Sequence, residues 1–206
     1  MSKVNKDREI IIKGLGEIGG ILVQVASAVD TELSCPTRCT NSEWKEVRKK
    51  TIRHLQEVIP KYSMSLTLPQ DEMGISAQAA IATLMKIQYA YTHIIVMLDM
   101  IRGEEFREVY LDSLIDISKK VNEAMLTFHS SMLSYDATQQ SLKSGLEIIK
   151  KLERQIDEEN IIICRQISVA TGGDSGFISY IMRKIVGELE HISDYLEDCM
   201  EIIEDL

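Results

Sequence analysis

Two short acidic motifs carry the chemistry this chain could do, Glu153-Arg154-Gln155-Ile156-Asp157 and Glu190-His191-Ile192-Ser193-Asp194. Each sets two carboxylates four residues apart in a stretch of helical hydrophobic spacing, and on a helix such residues stand one above the other on the same face. Between the stretches lie Gly172, Gly173 and Asp174, a helix stop followed by a new N-cap. If these residues form a hairpin turn, residues equidistant from it are level. The midpoint of Gln155 and Ile192 falls between Gly173 and Asp174. Four carboxylates would then gather at one height between two antiparallel helices, and such a group repels itself unless protons or a cation relieve it. Glu153, Asp157, Glu190 and Asp194 are therefore candidate ligands for a divalent or trivalent metal ion. Oxygen donors favour Mg, Ca, Mn or Fe, and His191 could add a nitrogen suited to Fe or Zn.

The alternative is a solvated flank. The four acids follow Leu152, Ile156, Leu189 and Ser193 by one residue each, so they border the apolar seam, and Glu197 and Glu201 extend the second acidic stripe. Spacing alone favours the flank, because seam-flanking charges are common on helices.

The elements that must position these residues are all helical. Periodicity predicts a first helix from about Asp7 to Asp30, a second beginning at Asn41 or Ser42 and closed by Pro60, and a third from Ile75 to Arg102 that is apolar on most sides. Loops are expected over Thr31 to Thr40 and Lys61 to Gly74. After a break at Gly103 come a fourth helix from Phe106 to Met132, a fifth from about Thr138 to Val169 and a sixth from Ser175 onward. No segment has the pattern of a strand. Three helices precede Gly103 and three follow it, with Asp30 and Asp136 ending the first helix of each half. The expectation is an all-α chain of two packed three-helix bundles, residues 1–103 and 104–206, related as a coarse repeat.

Composition narrows the function. Hydrophobic residues are 45% of the 206, enough for a core, and no proline interrupts the chain after Pro69. A formal net charge of −9 argues against a nucleic-acid partner, which would call for a basic face. Cys35 and Cys39 lack the two further ligands that zinc needs. Cys164 and Cys199 would sit at different heights of the last hairpin and could not bridge, so reduced cysteines in a cytosolic protein are expected. The opening residues MSKVNKDREI lack the apolar run of a signal peptide. The apolar span near Ile94 to Ile101 is short for a bilayer.

Two other motifs point elsewhere. Gly14-Leu15-Gly16-Glu17-Ile18-Gly19 satisfies Gly-x-Gly-x-x-Gly, but no strand-helix-strand context surrounds it. Within a helix Gly16 and Gly20 would lie one turn apart and permit close packing of a neighbouring helix. Glu188-Leu189-Glu190-His191 contains the Glu-x-x-His of ferritin-like di-iron proteins, yet the chain has no second copy. No nucleophile, base and acid set stands out, so no enzyme activity is expected.

In helix order and motif placement, the chain resembles the PhoU superfamily over nearly its whole length. Leu152-Glu153-Arg154-Gln155-Ile156-Asp157 on the second helix of the second half, and Leu189-Glu190-His191-Ile192-Ser193-Asp194 on its third, match that family's E(D)xxxD motifs. The first half departs from the pattern. Thr92 and Val96 stand where the third-helix acids belong, and Val47-Arg48-Lys49-Lys50-Thr51 offers no acidic pair. The resemblance implies tandem three-helix bundles with a metal site in the second half only, iron before zinc, manganese or magnesium. It further implies a role in phosphate homeostasis, exerted with a membrane phosphate transporter or its regulatory kinase. The implied protein is a homo-oligomer in the cytoplasm or at the inner face of the membrane. The competing classes are a ferritin-like oxidase or storage protein and a metal-free helical interaction module.

Overall fold

A computed structural model describes residues 3–34, 41–101, 108–135, 139–170, 172–173 and 176–206. Among these residues there is no strand. The chain forms α1 (Lys3–Leu33), α2 (Asn41–Val58), a short 3-10 segment (Ile59–Thr67), α3 (Glu72–Met100), α4 (Glu108–Leu133), α5 (Gln139–Ala170) and α6 (Phe177–Glu204). The expected break at Gly103, both early cysteines, Asp136 and Asp174 lie outside the described residues.

Apolar spacing decides each helix. On α1, Ile11, Leu15, Ile18, Leu22, Val25 and Val29 recur every three or four residues and are all buried. Leu152, Ile156, Leu189 and Ile192 are buried as the seam spacing on α5 and α6 requires. The expected loop after α2 is instead partly helical. Pro60 fits the start of the 3-10 segment, where its missing N–H costs nothing. The Asp71 carboxylate accepts from the Gly74 N–H at 3.0 Å, so α3 begins at Glu72, ahead of the expected Ile75. Asp30 does not end α1 but lies inside it, accepting a hydrogen bond from Ser118 of α4.

The helices α4, α5 and α6 pack on one another, as do α1, α2 and α3, and the two groups meet through α1 against α4 and α3 against α6. By length and composition α1 over Lys6–Leu33 and α3 could cross a bilayer, a span the sequence reading confined to Ile94–Ile101. Here half of each span is buried within the fold. The glycine run lies wholly within α1 and serves that packing. A Cβ at Gly16 would come 3.1 Å from Met132 Cβ, and one at Gly19 would come 2.8 Å from the Phe128 ring. The fully buried Phe128 has no room to retreat.

A contrast between two helical glycines tests this packing. Nothing lies within 4 Å of a Cβ built at Gly187. Gly187→Ala should therefore stabilise the protein by about 0.5–1 kcal/mol through reduced backbone entropy in the unfolded chain. Gly19→Ala should destabilise it by on the order of 1–3 kcal/mol, because the overpacked ring outweighs the same gain. Urea unfolding midpoints shifting in the same direction for both variants would contradict the close α1–α4 approach.

Candidate metal centre

The hairpin that builds the site is set at its turn. Gly172 and Gly173 adopt φ of 60° and 80°, which side chains disfavour. The Gly173 N–H donates to the Ser168 carbonyl at 2.9 Å and the Gly172 N–H to the Val169 carbonyl at 3.1 Å. This is the paired bonding that ends a helix with a left-handed cap. The chain then enters α6 through Gly176.

Side-chain pairs along the hairpin report its register. Lys143 Nζ lies 3.7 Å from Glu204, and Lys150 Nζ lies 2.5 Å from Glu201 and 3.9 Å from Glu197. Continuing toward the turn, the same register sets Glu153 level with Asp194 and Asp157 level with Glu190. On α6 the stripe stays acidic throughout. On α5 it changes sign, from lysine at the two outer heights to Glu153 and Asp157 at the next. Carboxylate oxygens of Glu153, Asp157 and Asp194 all lie within 4.8 Å of one another, and each residue is half-buried.

Glu190 and His191 fall outside that group of three. His191 has a side chain 54% exposed, and its Nε2 lies 3.6 Å from Glu190 Oε2. Glu188 of the Glu-x-x-His sequence is engaged by α3, with His93 Nδ1 at 3.0 Å from its Oε1. Neither end of that motif belongs to the three-carboxylate group.

Proximity and burial raise the carboxyl pKa values together. Burial contributes most at Glu153, followed by the charge of Asp157 and then of Glu197, and a hydrogen bond with Asp157 adds to them; its carboxyl is pushed up to about 7. Asp194 is raised by burial and by Asp157, with His191 opposing. Glu190 is raised by burial and then by Asp194, again against His191. Glu197 is raised by burial, with Lys150 acting in the opposite sense. Among the described residues no lysine or arginine forms an ion pair with Glu153, Asp157 or Asp194.

The first half is built differently at the matching helices. Thr51 donates to the Val47 carbonyl at 2.8 Å and Thr92 to the Gln88 carbonyl at 2.9 Å, each hydroxyl turning back onto its own helix. Between α2 and α3, Asp99 accepts from Trp44 Nε1 at 2.8 Å and lies 3.6 Å from Arg48. Its charge is met within the protein. Sequence reasoning missed the lysine rungs, although the register it used also pairs Lys150 with Glu197 and Lys143 with Glu204. It also missed the His93–Glu188 link, for which no local signal exists.

No family model matches the sequence, and no curated protein matches it. Solved structures do match in fold. The chain is similar to a PhoU-like protein from Shewanella oneidensis MR-1, with a TM-score of 0.74 at 12% identity, covering 94% of this chain and 97% of that one. It is similar to PhoU from Pseudomonas aeruginosa, with a TM-score of 0.72 at 13% identity, covering 98% and 97% of the two chains. For the phosphate transport system regulatory protein PhoU from Streptococcus pneumoniae the TM-score is 0.69 at 14% identity, covering 97% and 94%. The six-helix arrangement is thus the PhoU fold from end to end.

The raised carboxyls have a measurable consequence in chelator-treated protein. A folded-state pKa above the ordinary value means that the native state holds the proton more tightly than the unfolded chain. For Glu153 stability should therefore fall as pH rises from about 4.5 to about 7, and level off above. Glu190, Asp194 and Glu197 act in the same sense. Glu153→Gln should flatten the decline. Thermal melts in chelator across this range would check it, and a melting temperature that climbs through the window would contradict the cluster.

Proposed function

We propose that this chain is a PhoU-like regulator of phosphate uptake, a helical adaptor that binds a metal ion between α5 and α6. It acts with a membrane phosphate transporter or the kinase that regulates one. The observation that carries this reading is the end-to-end likeness to PhoU proteins, over 94 to 98% of the chain. Both halves take part in it, so what is shared is the arrangement of the entire chain and not a common bundle motif.

The donor set fits a hard cation. Glu153 and Asp157 from α5 and Asp194 from α6 offer oxygen only, from two helices, within 4.8 Å. Iron is favoured, then manganese or magnesium. Zinc suits the set less, because the nitrogen donor it would prefer, His191, stands outside the group. A bound ion would supply the positive charge that the cluster lacks and so tie α5 to α6. The protein's part is positional. Buried Leu152, Ile156 and Ser193 each precede one of the three acids and fix its height and direction.

The adaptor works by binding rather than by turnover, at the cytoplasmic face of the membrane and as a homo-oligomer. Exposed apolar side chains on α3, among them Met85, Tyr89 and Val96, give it a face for another subunit. Deletion of its gene should raise cellular uptake of labelled phosphate, and restoring the gene should reverse the change. Uptake unaltered by deletion would remove the phosphate role.

The metal is tested separately. Adding Fe, Mn or Mg to chelator-stripped protein should stabilise it by about 2.7 kcal/mol at a hundredfold excess over Kd. Asp157→Asn together with Asp194→Asn should abolish that gain and leave the helical circular dichroism intact, because charge is lost and shape is kept. A wild-type melting temperature indifferent to all three ions would make the acids a solvated flank.

A further inference from the structure

The outer side of α3 differs from the rest of this acidic chain. Of the 206 residues 32 are Asp or Glu, yet none lies from Met73 to Leu98. Met85, Tyr89, Val96 and Met100 stand on that side, each between 48 and 64% exposed, at spacings of four and seven residues that make one helical stripe. α6 runs beside α3 in the opposite direction, with Glu188 on His93, Tyr195 beneath Lys86 and Cys199 on the Ala80 carbonyl. The outer stripe of α6 changes sign along its length. Lys184 and His191 lie toward its start, Asp198 and Asp205 at its end, and all four are exposed. Each chain carries a formal charge of −9, so two chains repel unless they meet on a face short of acids. Tyrosine and methionine without carboxylates are also what the core of a protein interface favours.

Resting on the reading of this chain as a homo-oligomer, we propose that the α3–α6 face binds the same face of a second copy, with the two α3 helices antiparallel and crossing between Met85 and Tyr89. A twofold interface must complement itself. With the axis at that point, Tyr89 of each copy packs on Met85 of the other, a ring on a thioether. The same axis lays one α6 over the other end to end, so that Lys184 meets Asp205 and His191 meets Asp198 of the second copy. The parallel arrangement is disfavoured by charge. α2 flanks α3 on the other side, with Arg48 at 3.6 Å from Asp99 and the Leu55 carbonyl accepting from Gln88 at 2.8 Å. Turning the second copy about the length of α3 would set Lys184 over exposed Lys49 and Lys50 of that helix. The antiparallel face is about 38 Å long from Ile75 to Met100 and two helices wide. Its area is thus close to the roughly 800 Å² that each partner buries in a stable complex.

Sedimentation velocity over a concentration series of the full chain tests this, with circular dichroism verifying the fold of each variant. The wild type should sediment at twice the chain mass. Tyr89→Glu should weaken the dimer at least tenfold, whereas Leu126→Glu, at an exposed apolar position on α4, should leave it intact. Lys86→Met should tighten it, because the two Lys86 ammoniums lie near the axis. Lys184→Glu and Asp205→Lys should each weaken it, and the two together should restore it. These residues stand about 30 Å apart along one α6, so restoration can act only between copies. A dimer that survives Tyr89→Glu, or that the charge exchange fails to restore, would overturn this face and leave the homo-oligomer reading standing. A wild type monomeric at every concentration would overturn both. A monomer that phosphatidylglycerol vesicles pellet through Tyr89 would give the face to a membrane and overturn the proposal.

Discussion

The turn at Gly172 and Gly173 decides which residues of α5 and α6 share a height, and the rest of the site depends on that register. Two left-handed glycines allow the chain to reverse immediately after α5, with both end carbonyls capped. The buried seams on the two helices then fix rotation. A slip of one residue along α6 would turn each side chain by about 100°. Asp194 would leave its place opposite Glu153, and Ser193 or Tyr195 would move to the border of the seam. Turn and seam together leave one arrangement in which burial is preserved. That arrangement aligns acids with acids near the turn and lysines with acids farther from it.

Electrostatics therefore follows from packing, and often against its own preference. The carboxylates are half-buried because the residues just before them must be buried. For Glu153, Glu190 and Asp194 loss of solvent is the largest cause of the raised pKa, with mutual repulsion second. At the outer heights lysine stems lie along the hairpin surface and bring a charge of the right sign. The first half resolves the same difficulty internally, with Arg48 and Trp44 on Asp99 and threonines in place of further acids.

What could be read from the sequence was local. The 3.6-residue period located six helices, the paired glycines located the hairpin, and counting outward from them placed Glu153 opposite Asp194. The identity of packing partners was not legible, because an apolar face states that it must be buried and not against what. Gly16 and Gly19 illustrate the point: as helix residues glycines in this run signal close packing, and only the approach of Met132 and Phe128 shows against what. The 3-10 segment after Pro60 lacks the long periodicity that marks an α-helix. The separation of Glu190 from the three-carboxylate group is a matter of side-chain direction at one height, where His191 competes for it, and spacing cannot express that choice.

The position of α6 gives the site a reach beyond its own hairpin. One side of this helix carries Asp194 and Glu197 toward α5. Another carries Glu188 to His93 of α3, and Tyr195 beneath Lys86 of α3, at 5.1 Å from nitrogen to ring centre. Between them Cys199 is fully buried, with its thiol 3.7 Å from the Ala80 carbonyl of α3. The helix that supplies Asp194 to the carboxylate cluster is thus also one of the two through which the second bundle packs on the first. Close packing on both sides ties the position of Asp194 to that of the contact with α3.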